Sequence, residues 1–171
     1  VQKGGALELH GNFLPRLAAF TVEDGGTFLY AKDAVLQNCN RGFLWTVVNS
    51  GTAIFEDGIC KFNATWSAPW QIRQMAGEMV WGGPFKVQNN LYYQIELTGG
   101  KVSATGDVTF SYNATYNGNP LNNSFKFTDG ADLELDVADG KTLDLTPFTY
   151  AGAAPVRGVV MVTAISEQTV R

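Results

Sequence analysis

Apolar and polar residues alternate almost without a break from residue 91 to residue 116. The apolar side chains fall on odd positions before Gly99–Gly100 and on even positions after it. The two sets are Leu91, Tyr93, Ile95 and Leu97, and then Val102, Ala104, Val108, Phe110, Tyr112, Ala114 and Tyr116. A period of two is that of a β-strand with one buried face. The pattern predicts a hairpin that turns at Gly99–Gly100, opposes Leu97 to Val102 and buries both sets on one side.

Other short apolar runs end at residues that favour turns. Asp57–Gly58 predicts a second hairpin. A third is predicted around residues 139–141, with a three-residue loop that pairs Leu135 with Leu145. The shorter loop would bury the carboxylate of Asp144, which costs several kcal/mol when no partner is present. Hairpins in succession predict an all-β fold, an antiparallel β-sandwich of the jelly-roll type.

One segment departs from the alternation. Between Pro69 and Trp81 the apolar residues follow the i, i+3, i+4, i+7 spacing of a helix face: Ile72, Met75, Ala76 and Met79. Proline suits the first turn of a helix, and Gly82–Gly83 would end it. The spacing predicts one short helix inside a long loop.

Composition and charge narrow the classes of function. The 171 residues are 45% hydrophobic and carry a net charge of −4, which suits one domain, 1–171, with no recognisable internal repeat or linker. No apolar run is long enough for a membrane helix, and no signal-peptide pattern opens the sequence. The 12 Lys and Arg residues do not cluster, so we expect neither direct nucleic-acid binding nor a membrane partner.

The residues that carry most enzyme chemistry are few. His10 is the single histidine and has no nucleophile motif around it, so we expect a non-enzymatic protein. Two cysteines, Cys39 and Cys60, are too few for a zinc site, and no glycine motif for a nucleotide is present, so no cofactor is expected. A buried free thiol at Cys60 is favoured, and a Cys39–Cys60 disulfide stays open.

The densest acidic stretch offers a calcium hypothesis. Its candidate ligands are Asp129, Asp132, Asp136 and Asp139, because calcium prefers several carboxylate oxygens. The spacing does not fit an EF-hand loop, and acidic residues that alternate with apolar ones are also typical of the solvent face of a strand. The second interpretation is favoured, and calcium stays an alternative.

Aromatic and apolar residues offer candidates for a binding surface. Trp66, Trp70 and Trp81 flank the predicted helix, where they either fill the end of the core or form a platform. The segment from Val156 to Ile165 is almost continuously apolar, which indicates a central strand or a subunit contact. The interface candidates are Trp70, Met75, Met79, Trp81, Val159, Val160 and Met161.

In its domain size, its strand density and its closing segment Pro155-Val-Arg-Gly-Val-Val-Met-Val-Thr-Ala-Ile, the chain resembles accessory virion proteins of bacteriophages, of the spike, decoration or head-fibre type. The resemblance contains no diagnostic motif and transfers no functional residue. It implies a jelly roll that assembles around a symmetry axis on a capsid surface. The expectation is therefore a virion structural protein that forms a homo-oligomer, with a trimer favoured, and that contacts other capsid proteins.

A second hypothesis belongs to another class of protein. A secreted, extracellular carbohydrate-binding or adhesin module would use the tryptophan loop as a platform and the acidic run for calcium. Loss of glycan binding on Trp70→Ala or on addition of a chelator would distinguish it from a structural protein.

Overall fold

The structure is a computed structural model. The described residues are 1–13, 18–37, 45–59, 62–63, 69–86, 92–111, 115–116, 119–120, 124–128, 133–151, 161–163 and 169–170. Every regular element in these ranges is a β-strand. Within them no helix is long and apolar enough to cross a membrane.

Two large sheets dominate the molecule. The seven-stranded sheet contains, in spatial order, β1 (Ala6–Leu9), β4 (Thr27–Tyr30), β7 (Thr52–Phe55), β10 (Glu78–Trp81), β12 (Gly100–Ala104), β16 (Leu133–Val137) and β19 (Met161–Thr163). The six-stranded sheet contains β3 (Ala18–Val22), β6 (Trp45–Asn49), β9 (Pro69–Gln74), β11 (Tyr92–Leu97), β15 (Ser124–Thr128) and β18 (Thr149–Ala151).

The remaining strands are short. A third sheet contains β2 (Asn12–Phe13), β5 (Val35–Gln37) and β8 (Phe62–Asn63). Two separate pairs are β13 (Thr115–Tyr116) with β14 (Asn119–Pro120), and β17 (Thr142–Leu143) with β20 (Thr169–Val170). Isolated parallel bridges join Ile59 to Phe85 and Phe85 to Phe110.

In each of the first three coils the chain passes from the seven-stranded sheet to the third sheet and then to the six-stranded sheet, before it returns to the first. Each return lays a new strand beside the previous one in the same direction, so that Thr52 pairs with both Thr27 and Glu78. All pairs in the three sheets are parallel, and β13 with β14 is the one antiparallel pair in the described ranges. Stacked coils of this kind define a parallel β-solenoid, in which each coil is one repeat.

The prediction of an antiparallel sandwich or jelly roll is therefore wrong. The residues at Gly99–Gly100 turn a corner between two sheets, so Leu97 and Val102 are not cross-strand partners. Leu97 pairs with Gln74 and Phe127 instead, one coil away on either side. A period of two shows which residues share a face, but it is the same for parallel and antiparallel partners.

The other two predicted hairpins are corners for the same reason. After Asp57–Gly58 the chain leaves β7, whose partners are β4 and β10. After residues 139–141 it leaves β16, whose partners are β12 and β19. Tight turns are needed at both kinds of bend, so a turn dipeptide does not identify the partner strand.

The predicted helix between Pro69 and Trp81 is also wrong. The segment forms β9 and β10, which belong to different sheets and are joined by a corner at residues 75–77. Ile72 and Met79 are fully buried, whereas Met75 at the corner is 45% exposed. Two strands with inward residues on either side of a bend reproduce the spacing of a helix face by coincidence.

A column of glycines forms the corner between the six-stranded and the seven-stranded sheet, called the first corner below. Backbone N–H groups of Thr27, Thr52, Glu78 and Lys101 donate to the carbonyl oxygens of Gly5, Gly26, Gly51 and Gly77. A Cβ atom on Gly77 would lie 2.1 Å from the oxygen of Gly51, and Gly77 has a φ of +65°. Only glycine fits this column without strain.

The strands enclose one apolar interior. The burial of alternate residues that the pattern predicted is confirmed for Ile95, Leu97, Val102 and Ala104, each at most 1% exposed. Aromatic rings contact one another from coil to coil through the interior: Phe28 is tilted against Phe55, Phe55 is tilted against Phe85, and Phe85 stacks on Phe110. Because the inward side chains form this core, the outward side chains of the strands are the ones that a binding partner can contact.

Candidate functional site on the outer faces

The outer face of the seven-stranded sheet carries a row of aliphatic side chains parallel to the solenoid axis. Leu29, Ile54 and Val80 occupy one register column in three neighbouring strands. All three are half-buried, while the residues before and after each of them are buried in the interior. Strand alternation therefore turns these three side chains outward. They are called the aliphatic row below.

A charged cluster centred on Lys101 continues the same face. Its Nζ atom lies 2.8 Å from Asp136 Oδ2, 3.7 Å from Glu134 Oε1 and 3.9 Å from Glu78 Oε1. The hydrogen bond to Asp136 is the main cause that raises the pKa of Lys101. Ser103 donates a hydrogen bond of 2.5 Å to Glu78. Three carboxylates around one ammonium group leave this end of the face negative.

The outer face of the six-stranded sheet is built from polar ladders. Thr46 donates a hydrogen bond of 3.4 Å to Gln71, which donates one of 2.5 Å to Gln94. Beside them Arg73 Nε lies 2.8 Å from Glu96 Oε2. Each bond joins two successive coils, so these side chains hold the face in a regular array.

The two faces differ in charge. Strands of the seven-stranded sheet carry four carboxylates against one ammonium, a net charge of −3: Glu8, Glu78, Glu134 and Asp136 against Lys101. Strands of the six-stranded sheet carry two cations against one carboxylate, a net charge of +1: Arg73 and Lys126 against Glu96. A charged partner would therefore distinguish the two faces.

The single histidine lies near the first end of the solenoid. His10 Nδ1 is 3.0 Å from Asp33 Oδ1, and its Nε2 atom is 3.1 Å from Glu8 Oε2. The hydrogen bonds with Glu8 and then with Asp33 are the main causes that raise the pKa of His10. Because Asp33 belongs to the next coil, the cluster joins two coils at the surface. A base held by two carboxylates in this way is suited to binding a proton.

The structure describes the side chains of three predicted interface residues, Met75, Met79 and Trp81. Met79 and Trp81 are both 0% exposed, so neither side chain offers surface to a partner. Trp81 packs edge-on against Phe85, and its buried Nε1 atom has no hydrogen-bond partner in the described ranges. Met75 lies at the first corner and is exposed.

The other interface candidates are placed less fully. Trp70 lies in β9, in register with Trp45 and Tyr93. Met161 begins β19 and pairs with Glu134. Val159 and Val160 lie outside the described residues, as do Trp66, Cys39 and Cys60.

The predicted calcium ligands are only partly within the described ranges. Asp136 forms the ion pair with Lys101, and Asp139 is exposed at the corner after β16. Asp129 and Asp132 lie outside the described residues. Among the residues that are described, no group of three or more His, Cys, Asp or Glu side chains is arranged to hold a metal ion.

The aliphatic row and the Lys101 cluster were missed by the sequence analysis, although a signal for them exists. Gly26, Gly51, Gly77 and Gly100 each precede a polar residue and then an apolar one, at similar intervals along the chain. Aligning the chain on these glycines reveals the repeat and brings the outward residues of successive coils into columns. Comparison with family models, curated proteins and solved structures finds no match to this chain.

Proposed function

We propose that this chain is a non-enzymatic structural protein of a virion surface, a spike, fibre or decoration component that assembles with copies of itself and with other capsid proteins. The virion location comes from the resemblance in domain size and closing segment. The proposal of self-assembly is supported by the outer faces of the solenoid, where half-buried aliphatic side chains and charged groups lie in columns.

The observation that carries the proposal is the aliphatic row on a continuous seven-stranded sheet. Its three side chains retain accessible apolar surface, and every one belongs to a strand bonded on both sides. A rigid face of this kind loses little conformational freedom when a partner binds, which favours association. A stack of parallel strands also spans about 4.8 Å per coil, so the face presents regularly repeated contacts.

The carbohydrate-binding alternative receives less support from the geometry. One of the three tryptophans of its platform, Trp81, has its ring in the interior against Phe85 and Phe110. Its calcium needed the acidic run, in which Asp136 is engaged by Lys101. The structural role needs neither group.

Sedimentation equilibrium of the purified chain, from low to tens of micromolar, tests the proposal. The expected result is a homo-oligomer, a trimer in the favoured case, whose mass is independent of added chelator. A chain that stays monomeric across this range would contradict self-assembly. A second arm incubates the chain with purified glycans, and specific glycan binding by a monomer would favour the adhesin alternative instead.

A further inference from the structure

Strands that follow each other across the first corner carry opposite charges on their outer faces. Arg73 in β9 is followed by Glu78 in β10. Glu96 in β11 is followed by Lys101 in β12. Lys126 in β15 is followed by Glu134 in β16. From coil to coil along the axis, these charges are positive, negative and positive on the six-stranded face, and negative, positive and negative on the seven-stranded face.

The uncharged part of the two faces matches as well. Val48, the outward aliphatic residue of β6, is half-buried, lies in the register column of Arg73, and is followed in the same coil by Ile54 of the aliphatic row. Below these two, Ala19 on the six-stranded face precedes Leu29 on the seven-stranded face. In these two coils an apolar residue of one face thus shares its coil with an apolar residue of the other, whereas Val80 shares its coil with Gln71 and Arg73.

We infer that the six-stranded face of one copy docks on the seven-stranded face of a second copy, with the two solenoid axes parallel. Lys126 of one copy then meets Glu134 of the next, and Val48, which shares the register column of Lys126, meets Thr52 beside Ile54 of the aliphatic row. The inference rests on the proposed self-assembly and names its two surfaces.

A second copy fits this surface better than self-pairing of either face. Two seven-stranded faces would bring together two surfaces of net charge −3, and like charges across an interface cost several kcal/mol. Two six-stranded faces would have no aliphatic row to bury. Pairing unlike faces joins the acidic sheet to the basic one and buries the apolar positions together.

Pairing of unlike faces also determines the symmetry. Each copy offers one surface of each kind, so the contact is heterologous and repeats from copy to copy. A heterologous contact with parallel axes closes into a ring when the rotation permits, and a trimer is the smallest such ring beyond the dimer. Together with the trimer that the proposed function favours, this contact gives a cyclic assembly with its symmetry axis along the solenoids.

Charge reversal with compensation tests the inference. Lys126→Glu and Glu134→Lys are made singly and together, and Glu23→Lys at an exposed corner serves as the matched control. Sedimentation equilibrium measures the dissociation constant, and far-UV circular dichroism with urea unfolding checks that every variant is folded. Each single reversal should weaken assembly by at least about tenfold, and the double variant should regain most of that loss.

The outcomes separate the inference from the proposed function. A wild-type chain that stays monomeric overturns both. A wild-type oligomer whose Lys126→Glu and Glu134→Lys variants assemble as well as Glu23→Lys keeps the proposed function and overturns the inference, because the contact then lies elsewhere. Losses that simply add in the double variant also overturn it, since residues that meet across an interface must be coupled.

Discussion

Two glutamines of one strand, Gln71 and Gln74, make the same kind of contact in opposite surroundings. Both lie in β9, and both bond to a side chain of a neighbouring coil. Gln74 is 0% exposed and accepts a hydrogen bond of 2.7 Å from Asn49 inside the solenoid. Gln71 is half-buried on the outer face, between Thr46 and Gln94.

The difference indicates that burial, more than hydrogen-bond geometry, decides how much a hydrogen bond between side chains of successive coils contributes to stability. The amide nitrogen of Gln74 also donates to the carbonyl oxygens of Ala76 and Gly77 at the first corner. Without Gln74 the buried amide of Asn49 would lose an acceptor inside the solenoid, where water does not replace it. Around Gln71 water can replace every bond, so the outer ladder is left free to vary with function.

The largest loss of stability is expected at the first corner, where the buried pair of Asn49 and Gln74 adjoins the glycine column. Gly77→Ala places a Cβ atom 2.1 Å from the Gly51 oxygen, at a position of φ +65°. A positive φ costs a non-glycine residue roughly 1–2 kcal/mol. The overlap with a backbone that cannot move freely adds about 1–3 kcal/mol. Urea unfolding should show a loss of this combined size.

Gly140→Ala is the matched control for that substitution. Gly140 has a φ of +70°, but nothing lies within 4 Å of a Cβ atom built on it. Its replacement should lower the free energy of unfolding by the conformational term alone, about 1–2 kcal/mol. Equal losses for the two alanine variants would show that the close approach of Gly77 to Gly51 is unimportant.

The two glutamines give the second prediction. Gln74→Leu should lower the free energy of unfolding by about 1–3 kcal/mol, because it removes one acceptor of the buried Asn49 amide, whose bond to the Glu78 carbonyl oxygen remains. Gln71→Leu should change it by no more than about 0.5 kcal/mol, because water satisfies the outer ladder. Urea unfolding of both variants measures the contrast. A Gln71 variant as destabilised as the Gln74 variant would mean that both ladders are structural.

Alternation predicted the inward residues of this fold but not the neighbours of any strand. Ile95 and Val102 are buried as expected, because a strand with one buried face has a period of two in every kind of sheet. Parallel partners one coil away are set by contacts between residues about 25 positions apart, as in the pair Thr46 and Gln71. Local turn signals carry no information about such contacts.

The glycine spacing could have identified the repeat, whereas the binding surface needed coordinates. Gly51 and Gly77 mark equivalent corners, and an alignment on them would have predicted a solenoid. Trp81 was considered as surface because large aromatic residues suit both cores and interfaces. The burial of its side chain could be assigned only from the position of β10 in the seven-stranded sheet. Ile54 went unnoticed because a single outward aliphatic residue is common on any surface.

The third prediction concerns the charged ladder on the outer face. Arg73 and Glu96 have exposed side-chain fractions of 46% and 30%, so solvent screens most of their attraction. A double-mutant cycle with Arg73→Ala and Glu96→Ala should give a coupling energy of about 0.2–1 kcal/mol, and less at high salt. Coupling above this range in the monomeric chain would place the outer ladder among the structural contacts.

The smallest effect is expected at the exposed histidine that links the first two coils. Hydrogen bonds with Glu8 and Asp33 raise the pKa of His10 above its ordinary 6.5, so folding favours the protonated ring. Its contribution to stability is then fully present below the pKa of the unfolded chain and disappears as the pH rises through the higher pKa of the folded chain. Titration of the ring protons by NMR should give a midpoint above 6.5, and Glu8→Gln and Asp33→Asn should each lower it, because both carboxylates raise the pKa of His10. A wild-type midpoint at or below the ordinary value would show that water replaces these bonds as completely as we expect it to do around Gln71.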